Sequence, residues 1–537
     1  MSSIVATDLA YAHPGGDLLF SGVSFRVRPG EHAALVGANG AGKTTLLRCL
    51  AGELPLDEGE LAIGGRVAFM RQDVGAGARD GSRTVRELLL DLAPATLRTA
   101  GTTMLAAERE LAAGADPAGA GMRLGEAIGV WSDLGGYELQ ARWDAACRAI
   151  AGAGIDEVGD RPTTGLSGGE RKRLVLEVLL ASDAEILLLD EPDNFLDIPA
   201  KRALEERIAA SPKTILLISH DRELLAAATR STITLEGHGA WVHGGSYATY
   251  PEAREHRQRL MGDALRRWQE EERRLYRYFK LLKERARYAP GFAKKADAAE
   301  TRWRRFADAG PPPPPVTDRA IRVRLRGGDS ARRVVDLRAV AVPGLVEPFS
   351  DEVRFGERLG LIGPNGTGKT HLMRLLAGEV VEHGGSVVLG PRVSPGHFTQ
   401  LNAREDLAGH VVLDVVTDRV GGVEAAMGAL ARYGLADAAR RAVETLSGGQ
   451  KARLEILCLE LEGHNLLLLD EPTDNLDIDS AEALEHALEG FEGTVVAVSH
   501  DRAFLRGLDR FWLLGHDGEV VGVPDPRTAL GVLGAAA

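Results

Sequence analysis

The chain contains one unit twice. GANGAGKTT (Gly37 to Thr45), Gln72, LSGGE (Leu166 to Glu170), ILLLDEP (Ile186 to Pro192) and SHDR (Ser219 to Arg222) follow one another in the first half. GPNGTGKT (Gly363 to Thr370), Gln400, LSGGQ (Leu446 to Gln450), LLLLDEP (Leu466 to Pro472) and SHDR (Ser499 to Arg502) repeat the order in the second. Self-similarity on this scale means two copies of one folding unit and argues against a single continuous core. From Ser167 to Ser447, Asp190 to Asp470 and His220 to His500 the offset is 280, whereas from Lys43 to Lys369 it is 326. The first copy therefore carries about 46 extra residues upstream of its LSGGE, falling between Gln72 and Ser167 in a helical-looking stretch that includes ARWDAACRAIAGAG.

In each copy an apolar run, AALVG or LGLIG, feeds a glycine-rich turn and then a helix-like segment, TTLLRCLAG or THLMRLLAG. Two wholly apolar runs come later, ILLLD then TILLIS and LLLLD then TVVAVS, as expected for parallel strands covered on both faces. The predicted fold class is α/β, with two tandem P-loop domains. Between the copies, residues 251–288 are charged, rich in helix formers and spaced by fours, as at Glu270 and Arg274, which supports a solvated helix of roughly 55 Å. Tyr288-Ala289-Pro290-Gly291-Phe292 breaks it, because proline lacks the amide donor and glycine permits the turn. A second helix over 293–309 would run back antiparallel, and Pro311 to Pro315 would extend as a spacer of about 15 Å. The expected division is a first cassette over 1–250 with its extra helical stretch at about 75–150, a helical hairpin linker over 251–315, and a second cassette over 316–537.

A composition of 44% hydrophobic and 26% charged residues is that of a globular chain. No run of about 18 apolar residues occurs, and the start has neither a basic head nor a long apolar stretch, so a cytoplasmic protein without membrane spans is expected. Cys49, Cys147 and Cys458 are too scattered for a disulfide framework or clustered metal site. The net charge of -13 argues against a nucleic-acid partner on average. Residues 254–309 are the exception, with 17 Lys and Arg against 9 Asp and Glu, and the hairpin holds 8 of the 27 aromatic residues. Basic residues interleaved with aromatics suit RNA, although most rings of an antiparallel helix pair are expected to pack on one another.

Each motif carries its own chemistry. In GxxxxGK[ST], glycines let backbone amides approach phosphate oxygens and the helix N-terminus favours anions. Lys43 or Lys369 reaches the outer phosphates, and Thr44 or Thr370 offers a hydroxyl to Mg²⁺. The candidate nucleotide ligands are Gly37, Asn39, Gly40, Gly42, Lys43, Thr44 and Thr45 in one loop, and Gly363, Asn365, Gly366, Gly368, Lys369, Thr370 and His371 in the other. Asp190 and Asp470 end apolar strands, where a carboxylate can hold the metal, and Glu191 and Glu471 follow, placed to polarise an attacking water. A lone Asp-Glu pair would more often only solubilise a strand end. Here each pair lies 23 residues after Ser167 or Ser447 and 29 or 30 before a histidine. His220 and His500 end the next strand, where an imidazole could contact the γ-phosphate, and Gln72 and Gln400 could reach metal or water. Ser167, Gly168 and Gly169, like Ser447, Gly448 and Gly449, form a second anion cradle ahead of a helix, although such a tetrapeptide alone is more often a helix cap.

Together these residues resemble the ATP-binding cassette ATPases, with Walker A, Q-loop, LSGG, Walker B and switch-His sets in both copies across nearly the whole chain. The tandem cassettes, the hairpin between them and GGSYATY (Gly244 to Tyr250) ahead of it are similar to the ABC-F subfamily. The resemblance implies ATP and Mg²⁺ as cofactors and a monomer whose cassettes face head to tail. Lys43, Thr44, Gln72, Asp190, Glu191 and His220 would share one ATP with Ser447 and Gly449, and Lys369, Thr370, Gln400, Asp470, Glu471 and His500 another with Ser167 and Gly169. It implies a ribosome partner, the hairpin entering the exit-site and peptidyl-transferase region against ribosomal RNA and tRNA, with release on hydrolysis. The purpose would be antibiotic resistance by ribosome protection or, alternatively, a housekeeping role in translation. An exporter's ATPase subunit is the reading from another class, in which a long basic hairpin has no evident role. A DNA-maintenance ATPase would carry a far longer coiled coil. The family's EPTNHLD is EPDNFLD at Glu191 to Asp197 and EPTDNLD at Glu471 to Asp477, so Phe195 and Asn475 replace its His. Tyr11 is placed for stacking on adenine, with Ala339 expected at the corresponding place in the second copy.

Overall fold

ILLLD and TILLIS lie side by side because neither face of either strand can meet water. The computed structural model describes residues 2–535 apart from 17, 73, 75–82, 115–116, 238, 317–320 and 400–406. In the first copy Val67–Met70, Ile186–Asp190, Thr214–Ile218, His32–Val36 and Ser231–Glu236 run parallel in that spatial order, and Gly239–His243 closes the edge antiparallel. The second copy repeats the sheet with Pro395–Phe398, Leu466–Asp470, Thr494–Val498, Arg358–Ile362, Arg510–Leu514 and Val520–Val523. The expected α/β class is the one observed. Each copy adds a three-stranded antiparallel sheet, Ile4–Ala12 between Leu18–Val27 and Glu58–Ile63, and Arg333–Val342 between Val346–Arg354 and Gly384–Leu389.

A bulge in these small sheets fixes how the copies align. Asp8 and Ala339 both have positive φ, 50° and 46°, and each amide donates to a serine hydroxyl, Ser24 or Ser350, at 2.8 Å. Ala339 therefore matches Asp8. Tyr11 pairs with Phe20 as Val342 pairs with Val346, so the expected pairing of Tyr11 with Ala339 is corrected to Val342. The loop after the first strand is longer in the first copy, and an offset carried back through it slips.

The extra residues of the first copy form two helices, Ala95–Ala113 and Pro117–Asp133, joined by the Arg123–Glu110 pair at 2.6 Å. The helix before them, Val85–Asp91, and the one after, Gly136–Ala151, have counterparts in Val412–Val420 and Val423–Arg432. The amides of Val85 and Val412 donate alike to the carbonyls of Arg161 and Arg441. ARWDAACRAIAGAG thus belongs to the shared part. Trp131 and Trp143 fill a core against Leu174 and Val178 of the helix that follows LSGG, so the insertion enlarges the cassette's own helical layer.

The chain divides into two compact units, Met1–Gly244 with Arg319–Ala537, and Gly245–Asp318. Within the second unit, the 39-residue helix Tyr250–Tyr288, about 58 Å long, meets a single turn at Pro290–Phe292 and returns as Ala293–Asp308. Phe279, Leu282, Ala296 and Ala299 form its small core. Trp303 stacks on Phe279 with ring centroids 5.8 Å apart and donates its indole N–H to Glu272 at 2.8 Å, and Trp268 stacks on Phe306. Tyr278 and Tyr288 are the contrasting rings, 56% and 87% exposed, the latter at the turn.

Candidate nucleotide-binding site

Each glycine-rich loop links a buried strand to a helix, Lys43–Leu50 or Lys369–Leu376. Gly42 and Gly368 cap these helices at φ of 95° and 100°, a left-handed conformation that a side chain disfavours. The lysines turn back on their own loops. Lys43 Nζ donates to the carbonyls of Gly37 and Ala38 at 2.7 and 3.2 Å, and Lys369 Nζ to those of Gly363 and Pro364 at 2.9 and 2.8 Å. Burial lowers the pKa of both ammonium groups.

The two copies meet at these loops. The Asn39 amide N–H donates to Asp477 at 3.0 Å and its side chain to the Asn475 carbonyl at 3.4 Å. A Cβ added to Gly449 would lie 2.7 Å from that same carbonyl and 2.8 Å from Asn39 Nδ2, so only glycine permits the approach. A cavity of about 700 Å³ results, within the range of small-ligand sites. It is lined on one side by Asn39, Gly40, Gly42, Lys43, Thr44, Thr45, Gln72, Glu191 and His220, and on the other by Ser447, Gly448 and Gly449. Of the residues predicted for the first site, the cavity wall takes all but Gly37, Asp190 and Tyr11. The Tyr11 ring is buried in the core and stacked on Phe20, and His13 lines the cavity instead. Asp437, Arg453 and Asp474 also line it. Sequence reasoning missed Asp437 and Arg453 because no motif marks them, and Asp474 because EPTDNLD does not by itself show that it reaches the opposite copy's loop.

At the other loop, the Asn365 side chain donates to the Phe195 carbonyl at 3.0 Å, and a Cβ on Gly169 would lie 2.9 Å from that oxygen. Thr370, His371 and Ser167 are exposed there. Ser167 and Ser447 each cap a helix, accepting from the amides of Glu170 and Gln450, so the capping role of LSGG is realised in both copies. Gln400 lies outside the described residues.

The strand-end acids differ between copies. Both Asp190 oxygens, and Oδ2 of Asp470, are buried without a hydrogen-bond partner, and burial raises Asp190 to about 6 and Asp470 in the same direction. Orphaned carboxylate oxygens beside the threonine that opens the loop helix fit a divalent cation. Among the described residues no group of three His, Cys, Asp or Glu side chains is placed to hold a metal ion, so remaining ligands would come from the nucleotide and water. Glu191 and Glu471 both hold a left-handed backbone, φ 49° and 51°, and strain of this kind gathers at functional sites. Glu191 accepts from Gln72 at 2.7 Å and Asn194 at 2.6 Å, with His220 Nε2 3.4 Å away. Burial alone would raise its pKa, but His220, Gln72 and Lys172 outweigh it and hold the group at about 2. Glu471 accepts from the His500 amide at 3.0 Å, and burial and the Asp474 charge push its pKa well up. His500 Nε2 lies 3.1 Å from Asn365 Oδ1, and burial pushes its pKa well down.

Beyond the loops, Arg222 pairs with Glu482 and Glu485 of the second copy, and Arg502 pairs with Glu205, Asp221 and Glu223 of the first. Arg222–Glu485 and Arg502–Glu205, like Arg222–Asp501 and Arg502–Asp221, are related by the 280-residue offset and make this part of the contact pseudo-symmetric.

Two phosphate-loop domains closed upon each other in one chain are the architecture of an ATP-binding cassette protein. The family model described as ABC transporter matches residues 20–194 and 346–474. An antibiotic resistance protein of Mycobacteroides abscessus is 43% identical over 98% of this chain and 100% of its own length. The tylosin resistance ATP-binding protein TlrC of Streptomyces fradiae is 33% identical over 90% of this chain and 92% of its own. Among solved structures, the RNase-L inhibitor superposes with a TM-score of 0.61 at 19% identity, covering 98% of this chain and 92% of that one, which shows a shared fold. The chain belongs to the ABC-F family of tandem-cassette proteins, and it is an ATPase. No helix among the described residues is long and apolar enough to cross a membrane.

Proposed function

We propose that this protein is a cytoplasmic, monomeric ATPase of the ribosome that closes its cassettes on two ATP molecules, binds the ribosome in that state and leaves after hydrolysis. The observation that carries the reading is the cavity in which the Lys43 loop faces Ser447 to Gly449. ATP bound there bridges both copies, so binding and closure are one event.

In each site the loop amides and Lys43 or Lys369 hold the phosphates. Thr44 with Asp190, and Thr370 with Asp470, would hold Mg²⁺, which supplies charge neutralisation at the phosphates. Glu191 and Glu471 orient a water whose oxygen attacks the γ-phosphorus while the bond to the ADP oxygen breaks, and the carboxylate takes the proton. His220 and His500 contact the γ-phosphate. The hairpin, with its basic excess and the exposed Tyr288, contacts ribosomal RNA and tRNA. Two relatives named for antibiotic resistance support ribosome protection as the purpose, and one solved structure of the same fold is titled as ribosome-bound archaeal Pelota and ABCE1.

The test is cosedimentation of the Glu191→Gln, Glu471→Gln double variant with ribosomes. ATP-dependent comigration is expected. ATP binding without comigration would remove the ribosome as partner. Expression in a drug-sensitive host against ribosome-targeting antibiotics then separates resistance from a housekeeping role, the latter being favoured if no drug's potency changes.

A further inference from the structure

Lys201 lies in the helix Ile198–Ala210 of the first copy, and its counterpart in the second copy is Ala481. It is buried between the copies. Its ammonium pairs with Asp221 at 3.2 Å and donates to the backbone carbonyl of His500, in the other copy, at 3.2 Å. Burial disfavours the charge, but Asp221, Asp193, Asp474 and Asp501 outweigh that and keep it protonated.

The His500 peptide is thereby held at both ends. Its N–H donates to Glu471 at 3.0 Å, its C=O accepts from Lys201, and between them the ring stands 3.1 Å from Asn365 and 3.4 Å from Glu471. A methyl group at 481 cannot donate, so the first site has no such grip on His220 from this position. We propose that Lys201 is a positioning residue for hydrolysis at the second nucleotide site, reaching across from the first copy to fix the His500 peptide. This rests on the reading of His500 and Glu471 as parts of that site.

The experiment uses full-length protein with one site silenced, Glu191→Gln to isolate the second site or Glu471→Gln to isolate the first. Single-turnover hydrolysis and ATP affinity are measured with and without Lys201→Met. In the Glu191→Gln background the rate should fall on the order of tenfold, as small misplacements near the chemistry do, with affinity changed less than about twofold. In the Glu471→Gln background the rate should change less than about twofold, and Lys201→Arg should recover most of the loss. Lys201→Gln, whose amide reaches less far, should give the same selective loss at about threefold and serves if the methionine variant does not fold. Equal losses in both backgrounds, or a loss carried by affinity, would mean that Lys201 only joins the copies and would overturn the proposal. Hydrolysis persisting in the Glu191→Gln, Glu471→Gln double variant would instead remove the site assignment beneath it.

Discussion

The first and second copies build the same sheets and loops, yet they leave their paired glutamates in opposite surroundings. Glu191 has amide donors from Gln72 and Asn194, whereas Asp474 stands where Asn194 would and its charge faces Glu471. One NH₂ exchanged for one oxygen turns a neutral hydrogen-bond donor into a neighbour of negative sign. In a site where water is scarce, that sign decides which protonation state is preferred. The same asymmetry appears in the buried lysines. Lys172 donates to the Glu191 carbonyl at 2.6 Å and lies over the Phe195 ring, while Ala452 and Asn475 hold those places in the second copy.

The comparison is most severely tested at the interface acids. Asp221 and Asp501 both cap short helices, and asparagine caps nearly as well, so Asp→Asn isolates charge. Burial would raise Asp221, but Lys201 and Arg502 outweigh it and hold the group at about 2. Asp221→Asn should lower stability by about 2 kcal/mol at pH 7 in urea unfolding, and Asp501→Asn by less than half of that. Because the native pKa lies below the unfolded value, this contribution is complete above about pH 4 and is lost as pH falls toward 2. Equal losses at pH 7 would break the asymmetry.

Next in size is the pH profile of each site. Glu191 stays ionised, so the Glu471→Gln variant should hydrolyse ATP at rates that differ less than about twofold between pH 6 and 8. Burial and the Asp474 charge favour the protonated form of Glu471, so the Glu191→Gln variant should hydrolyse ATP faster as pH rises over the same range. Two flat profiles in single-turnover assays would show that the nucleotide erases the difference. The smallest effect belongs to Phe195→Asn, which gives the first copy the residue of the second. It loses the ring over Lys172, worth about 0.5–1 kcal/mol, but eases a left-handed backbone at φ 68°. The melting temperature should move by the equivalent of less than about 1 kcal/mol.

Much of this is legible in the amino-acid sequence alone. Contiguous motifs announce themselves because the phosphate loop and strand-end acids are local in sequence, and the repeat places each twice. What escaped was set by distance or by a single irregular residue. Asp437 and Arg453 reach the first cavity from four hundred residues away, with no pattern of their own. Tyr11 has the composition of a base-stacking ring, but its strand faces the core and gives it to Phe20. The bulge at Asp8 and Ala339 shifted an alignment that no periodicity could correct. Lys201 and Lys172 look like ordinary helix lysines until the copies are laid over each other at the 280-residue offset, where each meets an alanine.

Covalent fusion gives that last contrast a genetic meaning. In an ATPase assembled from two identical chains, every codon is expressed in both halves, and a lysine that helps one site is imposed on the other. Here the codons for residues 201 and 481 are separate, so drift or selection can alter one half of the machine while the other keeps its inherited form.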